Sequence, residues 1–205
     1  MSEGQVAALL LWLVLLAFSL NASLLRTLHA NPLYQHLCLG SAIVLVPLWT
    51  LRAGLHEGLE IHFLGLTSLT LLLGWRLALL APCLTLLILG AFGVTDLAEF
   101  GWQALIGVAL PVATSWLLFL ASWAWLPRHL FVYLFVAAFL GGALSISVKI
   151  LASALLMGMS GAYPWHTIGA DYLSIWPLLL FPEALLNGMA MTLLAVYRPH
   201  WVNTF

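Results

Sequence analysis

The densest run of groups able to do chemistry is His56-Glu57-Gly58-Leu59-Glu60-Ile61-His62. Imidazole nitrogen suits borderline cations such as nickel, cobalt, zinc and copper, and carboxylates add harder oxygen ligands. On a helix His56 and Glu60 would share a face at i,i+4, whereas His62 stands six residues from His56 and faces elsewhere. The run is therefore not the HExxH zinc-protease pattern, whose two histidines must be four apart. His56, Glu57 and Glu60 also fit a solvated polar loop. His62 is different, because it begins an apolar run, where an unpaired polar group costs about 1–3 kcal/mol. It is expected either to ligate or to donate to a neighbouring helix carbonyl. His166, in Tyr163-Pro164-Trp165-His166-Thr167, belongs to a proline-aromatic loop that would lid a metal site or stay solvated.

Two more ionisable groups stand inside apolar stretches. Glu183 lies in Phe181-Pro182-Glu183-Ala184-Leu185-Leu186-Asn187-Gly188, and Lys149 is the basic residue deepest in such a stretch. A charge at mid-membrane costs about 2.5–3.5 kcal/mol on insertion scales, so each needs a partner or a polar cavity. Glu183 is expected to be protonated, paired with Lys149 or facing a polar cavity, and the two are expected to approach each other or to share a water. The remaining six of the seven carboxylates, Glu3, Glu57, Glu60, Asp96, Glu99 and Asp171, fall on one side of the topology below, with His56, His62 and His166. Arg26, Arg76, Arg128 and Arg198 fall on the other. A cluster of imidazoles and carboxylates at one membrane face suits a mouth for a metal cation.

The elements that must position these groups follow from composition. The chain has 205 residues, is 64% hydrophobic and only 6% charged, with mean hydropathy +1.10. That excludes a soluble domain, which needs more charge to cover its surface. A net charge of −1 gives no reason to expect nucleic acid. Cys38 and Cys83 sit in apolar runs and read as buried small hydrophobes. The first apolar run lacks a basic leader and a small-residue cleavage site, so it reads as a retained helix.

A spanning helix needs about 20 apolar residues. Candidate spans are 5–25, 34–51, 61–75, 77–94, 102–125, 129–158 and 173–197, the third short and the sixth long enough to tilt or to break near Gly158 and Gly161. No ten-residue alternation supports a barrel. The fold class is therefore all-α, a polytopic membrane protein of about seven transmembrane helices forming one domain over residues 1–205. Counting lysine and arginine in short loops places the N-terminus outside and the C-terminus inside.

Several stretches resemble the CbiM/NikM family, the membrane substrate-capture components of energy-coupling-factor transporters for cobalt and nickel. The resemblance covers roughly residues 45–115 and 178–200. The family's Gly-His-Leu-Leu-Gly segment is similar to Ile61-His62-Phe63-Leu64-Gly65, and its leucine-glycine-proline stop to Leu71-Leu72-Leu73-Gly74-Trp75. Its Gly-Leu-Thr-Ala-Leu-Gly-Ala-Asn resembles Asp96 to Gln103, with Leu97 and Gly101 identical and Gln103 replacing the asparagine. Its terminal Glu-Ala-Leu-Ile-Thr-Gly resembles Glu183-Ala184-Leu185-Leu186-Asn187-Gly188, and Arg198-Pro199 follows as in the family.

The resemblance implies a bacterial inner-membrane permease subunit that captures divalent nickel or cobalt as substrate. It also implies separate scaffold and ATPase partners, in keeping with the lack of any G-x-x-x-x-G-K-[ST] phosphate loop. Family members begin Met-His-Ile-Pro-Asp/Glu-Gly, and that terminus joins a histidine matching His62 in a square-planar site. This chain begins Met1-Ser2-Glu3-Gly4-Gln5, so only His62 carries over. His56, Glu60 or His166 would complete a different site, with Glu183, Lys149 and Gln103 as supporting polar groups. The alternatives are a non-transporting membrane partner or assembly factor of the same fold, and a membrane metalloenzyme using His56, Glu60 and His62 around a hydrolytic water. The metalloenzyme lacks a second acid-base constellation, so the reading is not an enzyme.

Overall fold

The computed structural model describes residues 2–52 and 61–204. His56, Glu57 and Glu60 therefore lie outside the described residues. The chain is 83% helical with no strand among the described residues. Ser2 caps α1 (Glu3–Ser19) in a reciprocal box with Gln5. A 71° bend then separates α1 from residues 24–30 of α2 (Ala22–Ala30). Asn31 caps α3 (Pro32–Thr50), whose first residue is a proline that lacks the N–H a helix start would leave orphaned.

The 61–75 run, expected as the third span, is instead an extended stretch through Gly65 followed by the short α4 (Leu66–Leu73). Gly65 and Gly74 flank α4 with φ of 64° and 79°, a region that only glycine enters without strain. Eight residues rise about 12 Å, against roughly 30 Å of hydrocarbon, so α4 cannot cross alone. Seven of those eight residues are buried. It is an internal strut.

α5 (Trp75–Ala91) leads to α6 (Leu97–Trp125) and α7 (Leu130–Met159), both single long rods. In α6 the turns widen to a π-helix over Leu105–Ala109, just ahead of Pro111. Proline offers no N–H to the preceding turn, and a π-bulge is one way to absorb the loss. α7 ends at Met159 rather than continuing through Gly161, whose φ is 72°. Short helical turns over residues 165–173 precede α8 (Trp176–Tyr197).

Among the described residues, four helices (α3, α6, α7 and α8) are long and apolar enough to cross a membrane, and the bent α1–α2 pair makes a fifth candidate. Close backbone contacts hold the bundle. A Cβ on Gly101 would lie 2.5 Å from the Leu9 amide nitrogen, so α1 and α6 cross backbone to backbone. A Cβ on Gly142 would lie 3.0 Å from the Glu183 carbonyl oxygen and 3.2 Å from the Ala184 Cα, which brings α7 equally close to α8. At the centre the Thr67 hydroxyl meets Ser115 at 2.7 Å and Ser145 at 3.1 Å, which ties α4 to α6 and α7.

The far end of α4 is capped by the C-terminal residues. The Asn203 amide donates to the Leu72 carbonyl (2.9 Å), and the Thr204 hydroxyl donates to Leu71 (2.8 Å) while lying 2.7 Å from the Tyr133 hydroxyl.

Candidate metal centre

His62 lies in the extended stretch that feeds α4, and it lines a cavity of about 680 Å³. The α1 start (Ser2, Gln5), Arg52, the α6 start (Glu99, Gln103), α7 (Lys149, Ser153) and Ser160 supply the rest of the polar wall. Trp49, Trp102 and Tyr163 supply aromatic faces. The imidazole Nδ1 is 3.0 Å from the Phe63 carbonyl oxygen. As donor to that carbonyl it leaves Nε2 with the lone pair, the arrangement usual for a metal-ligating histidine. The ring rests against Trp49, centroids 5.3 Å apart. The Trp49 indole N–H donates to the Leu64 carbonyl at 3.1 Å.

Behind this stretch stands Glu183, fully buried. Its two oxygens accept from the amides of Leu64 and Gly65, each at 2.9 Å. Asn187, one turn further along α8, donates to a Glu183 carboxylate oxygen at 2.8 Å. Asn187 Oδ1 in turn accepts from the Ser68 amide and hydroxyl, both at 2.8 Å. Glu183 is thus a carboxylate seated on the N-terminus of α4. Oriented amides and the positive end of the helix dipole favour a carboxylate there. Lys149 lines the cavity.

His166 is exposed and does not line the cavity. Its neighbour Trp165 takes the notch at Gly158, where an added Cβ would fall 2.3 Å from the indole. The structure therefore does not bring His166 to His62. Gln103 does reach the cavity, as does Glu99, whose carboxylate accepts from Gln5 Nε2 at 2.6 Å. Among the described residues no three His, Cys, Asp or Glu side chains are grouped closely enough to hold an ion. Trp49 and Asn187 were not singled out from the sequence. Asn187 had a legible signal, since it stands at i+4 from the lone buried acid and so shares its helix face.

A family model described as the cobalt uptake substrate-specific transmembrane region matches residues 2–201, essentially the whole chain. The chain belongs to the CbiM family. No curated protein and no solved structure matches it. Family membership makes it a transmembrane component of cobalt uptake, within a family of transporter components rather than enzymes.

At the start of α1, Ser2 and Gln5 bond to each other. The Ser2 amide donates to Gln5 Oε1 at 2.6 Å, and the Gln5 amide donates to Ser2 Oγ at 3.3 Å. Ser2 and Gln5 line the cavity as a capped helix start that presents oxygen and amide groups.

Proposed function

We propose that the chain captures a divalent transition metal, cobalt or nickel, as transport substrate, with His62 as its imidazole ligand. The observation that carries this reading is His62 itself: it lines the cavity with Nδ1 against a backbone carbonyl, leaving Nε2 as the coordinating nitrogen. Oxygen donors complete the site, drawn from Glu60, Glu99 and Gln103, with His56 as a second imidazole. Lys149 supports the wall, and Glu183 supports the stretch that bears His62.

In this reading the chain crosses a bacterial inner membrane seven times, with the extended 61–65 stretch and α4 together as the third crossing. The N-terminus and cavity lie outside, and the arginines of the opposite end lie in the cytoplasm. Having no phosphate loop, the chain depends on ATPases and a scaffold subunit for energy. A second reading, a membrane partner of the same fold without transport, is favoured by the absence, among the described residues, of three grouped His, Cys, Asp or Glu side chains.

The test is metal content. The purified chain, loaded with Co(II) and then with Ni(II), is expected to retain one ion by mass spectrometry. His62→Ala should weaken binding by about 100-fold or more, beyond the 10- to 100-fold typical of residues that only support a ligand. His166→Ala should leave binding intact. A wild-type protein that holds neither metal removes the capture reading and leaves the second.

A further inference from the structure

We infer that Glu183 and Asn187 are positioning residues for the metal: by capping α4 from another helix, they fix the peptide stretch that aims His62. The inference rests on the capture reading above and assigns a metal-directed role to two residues that do not line the cavity.

Three observations carry it. First, the α4 start has no side-chain cap of its own, because its N-cap residue is Gly65 in the left-handed region. The amides of Leu64, Gly65 and Ser68 are instead taken by Glu183 and Asn187, 118 or 119 residues away in sequence. Second, the two residues form a closed unit. Asn187 Nδ2 donates to both the Glu183 backbone carbonyl and its carboxylate at 2.8 Å, so neither side chain can turn without breaking the other's bonds. Third, Leu64 is fixed on both sides, its N–H by Glu183 and its C=O by the Trp49 indole. The imidazole two residues earlier is itself bonded to the Phe63 carbonyl, which adjoins the clamped Leu64 amide. The chain between ligand and clamp is one peptide unit long, so a shift of the clamp moves the ring.

A merely structural glutamate would affect folding and leave the metal's surroundings alone. A positioning glutamate changes the coordination sphere as well. Glu183→Gln preserves shape but sets an NH₂ group against an amide N–H, and Asn187→Ala removes the lock while leaving the carboxylate.

In the full-length protein with Co(II), each variant that keeps the wild-type elution volume and helical circular dichroism is expected to bind about 10- to 100-fold more weakly. Its visible Co(II) absorption bands should shift. Glu183→Asp should recover part of the affinity lost in Glu183→Gln. Wild-type affinity together with wild-type bands in a folded Glu183→Gln or Asn187→Ala protein overturns the inference. The capture reading stays separate, because it fails only if wild-type protein binds no metal. Should neither variant fold, hydrogen exchange in the wild type decides. Ligand and clamp on one short stretch are reciprocally coupled, so Co(II) should slow exchange at Leu64 and Gly65, and unchanged exchange overturns the proposal.

Discussion

Leu64 shows how one peptide unit is fixed at membrane depth. Its carbonyl is buried and accepts the Trp49 indole N–H. Trp49→Phe removes that donor and keeps an aromatic face toward His62. An orphaned buried acceptor costs about 1–3 kcal/mol, so the variant should unfold at lower temperature in detergent; an unchanged midpoint would refute this. His62 and Glu183 were both legible in the sequence as polar groups in apolar surroundings; the first lines the cavity and the second accepts from the Leu64 and Gly65 amides. The partners of Glu183 were not legible. Charge counting pointed to Lys149, because a side-chain inventory leaves out backbone amides, and an uncapped helix start offers several. His166 misled for the opposite reason: its neighbour Trp165, not the histidine, is the residue that the packing recruits.

At the scale of elements, the glycines separate into those that hold helices together and those that merely interrupt them. Gly142→Ala would drive a Cβ to 2.9 Å from Asn187 Nδ2 and 3.0 Å from the Glu183 carbonyl oxygen. Because backbone cannot give way cheaply, the change should cost about 1–3 kcal/mol. It should also weaken metal binding through the Glu183–Asn187 unit. Gly40 in α3 has nothing within 4 Å of an added Cβ. Gly40→Ala should therefore be neutral or add up to about 1 kcal/mol, since alanine is the better helix former. Thermal unfolding and Co(II) titration of the two proteins check the contrast, and equal effects would refute it. Hydropathy located α3, α6, α7 and α8 to within a few residues. It did not show that 61–75 divides into an extended stretch and a short helix, because an apolar window measures burial and is blind to where the backbone changes conformation. The marks were present in Gly65 and Gly74, whose left-handed geometry sets the limits of α4.

For the whole molecule, the proposed orientation makes Ser160 external and Arg128 cytoplasmic. Both are exposed, and Cys38 and Cys83 are buried. An impermeant maleimide added to intact spheroplasts should label Ser160→Cys at once and Arg128→Cys only after permeabilisation. The reverse pattern would invert the topology. At the opposite end from the cavity, Thr204→Val would remove the hydroxyl that donates to the Leu71 carbonyl. The expected loss is about 1–3 kcal/mol of stability with metal binding retained, and a metal-binding defect of equal size would show that the two ends are linked.

Both ends of α4 are thus secured by one late stretch of chain, residues 183–204. A ribosome that has released α1 through α7 has made His62 and the Trp49 beside it, but not the carboxylate that takes the Leu64 and Gly65 amides. Until α8 and the residues after it follow, α4 lacks the groups that take the amides at its start and cap its end. The stretch that bears His62 is therefore secured late in synthesis, and a chain terminated before Glu183 leaves the start of α4 uncapped.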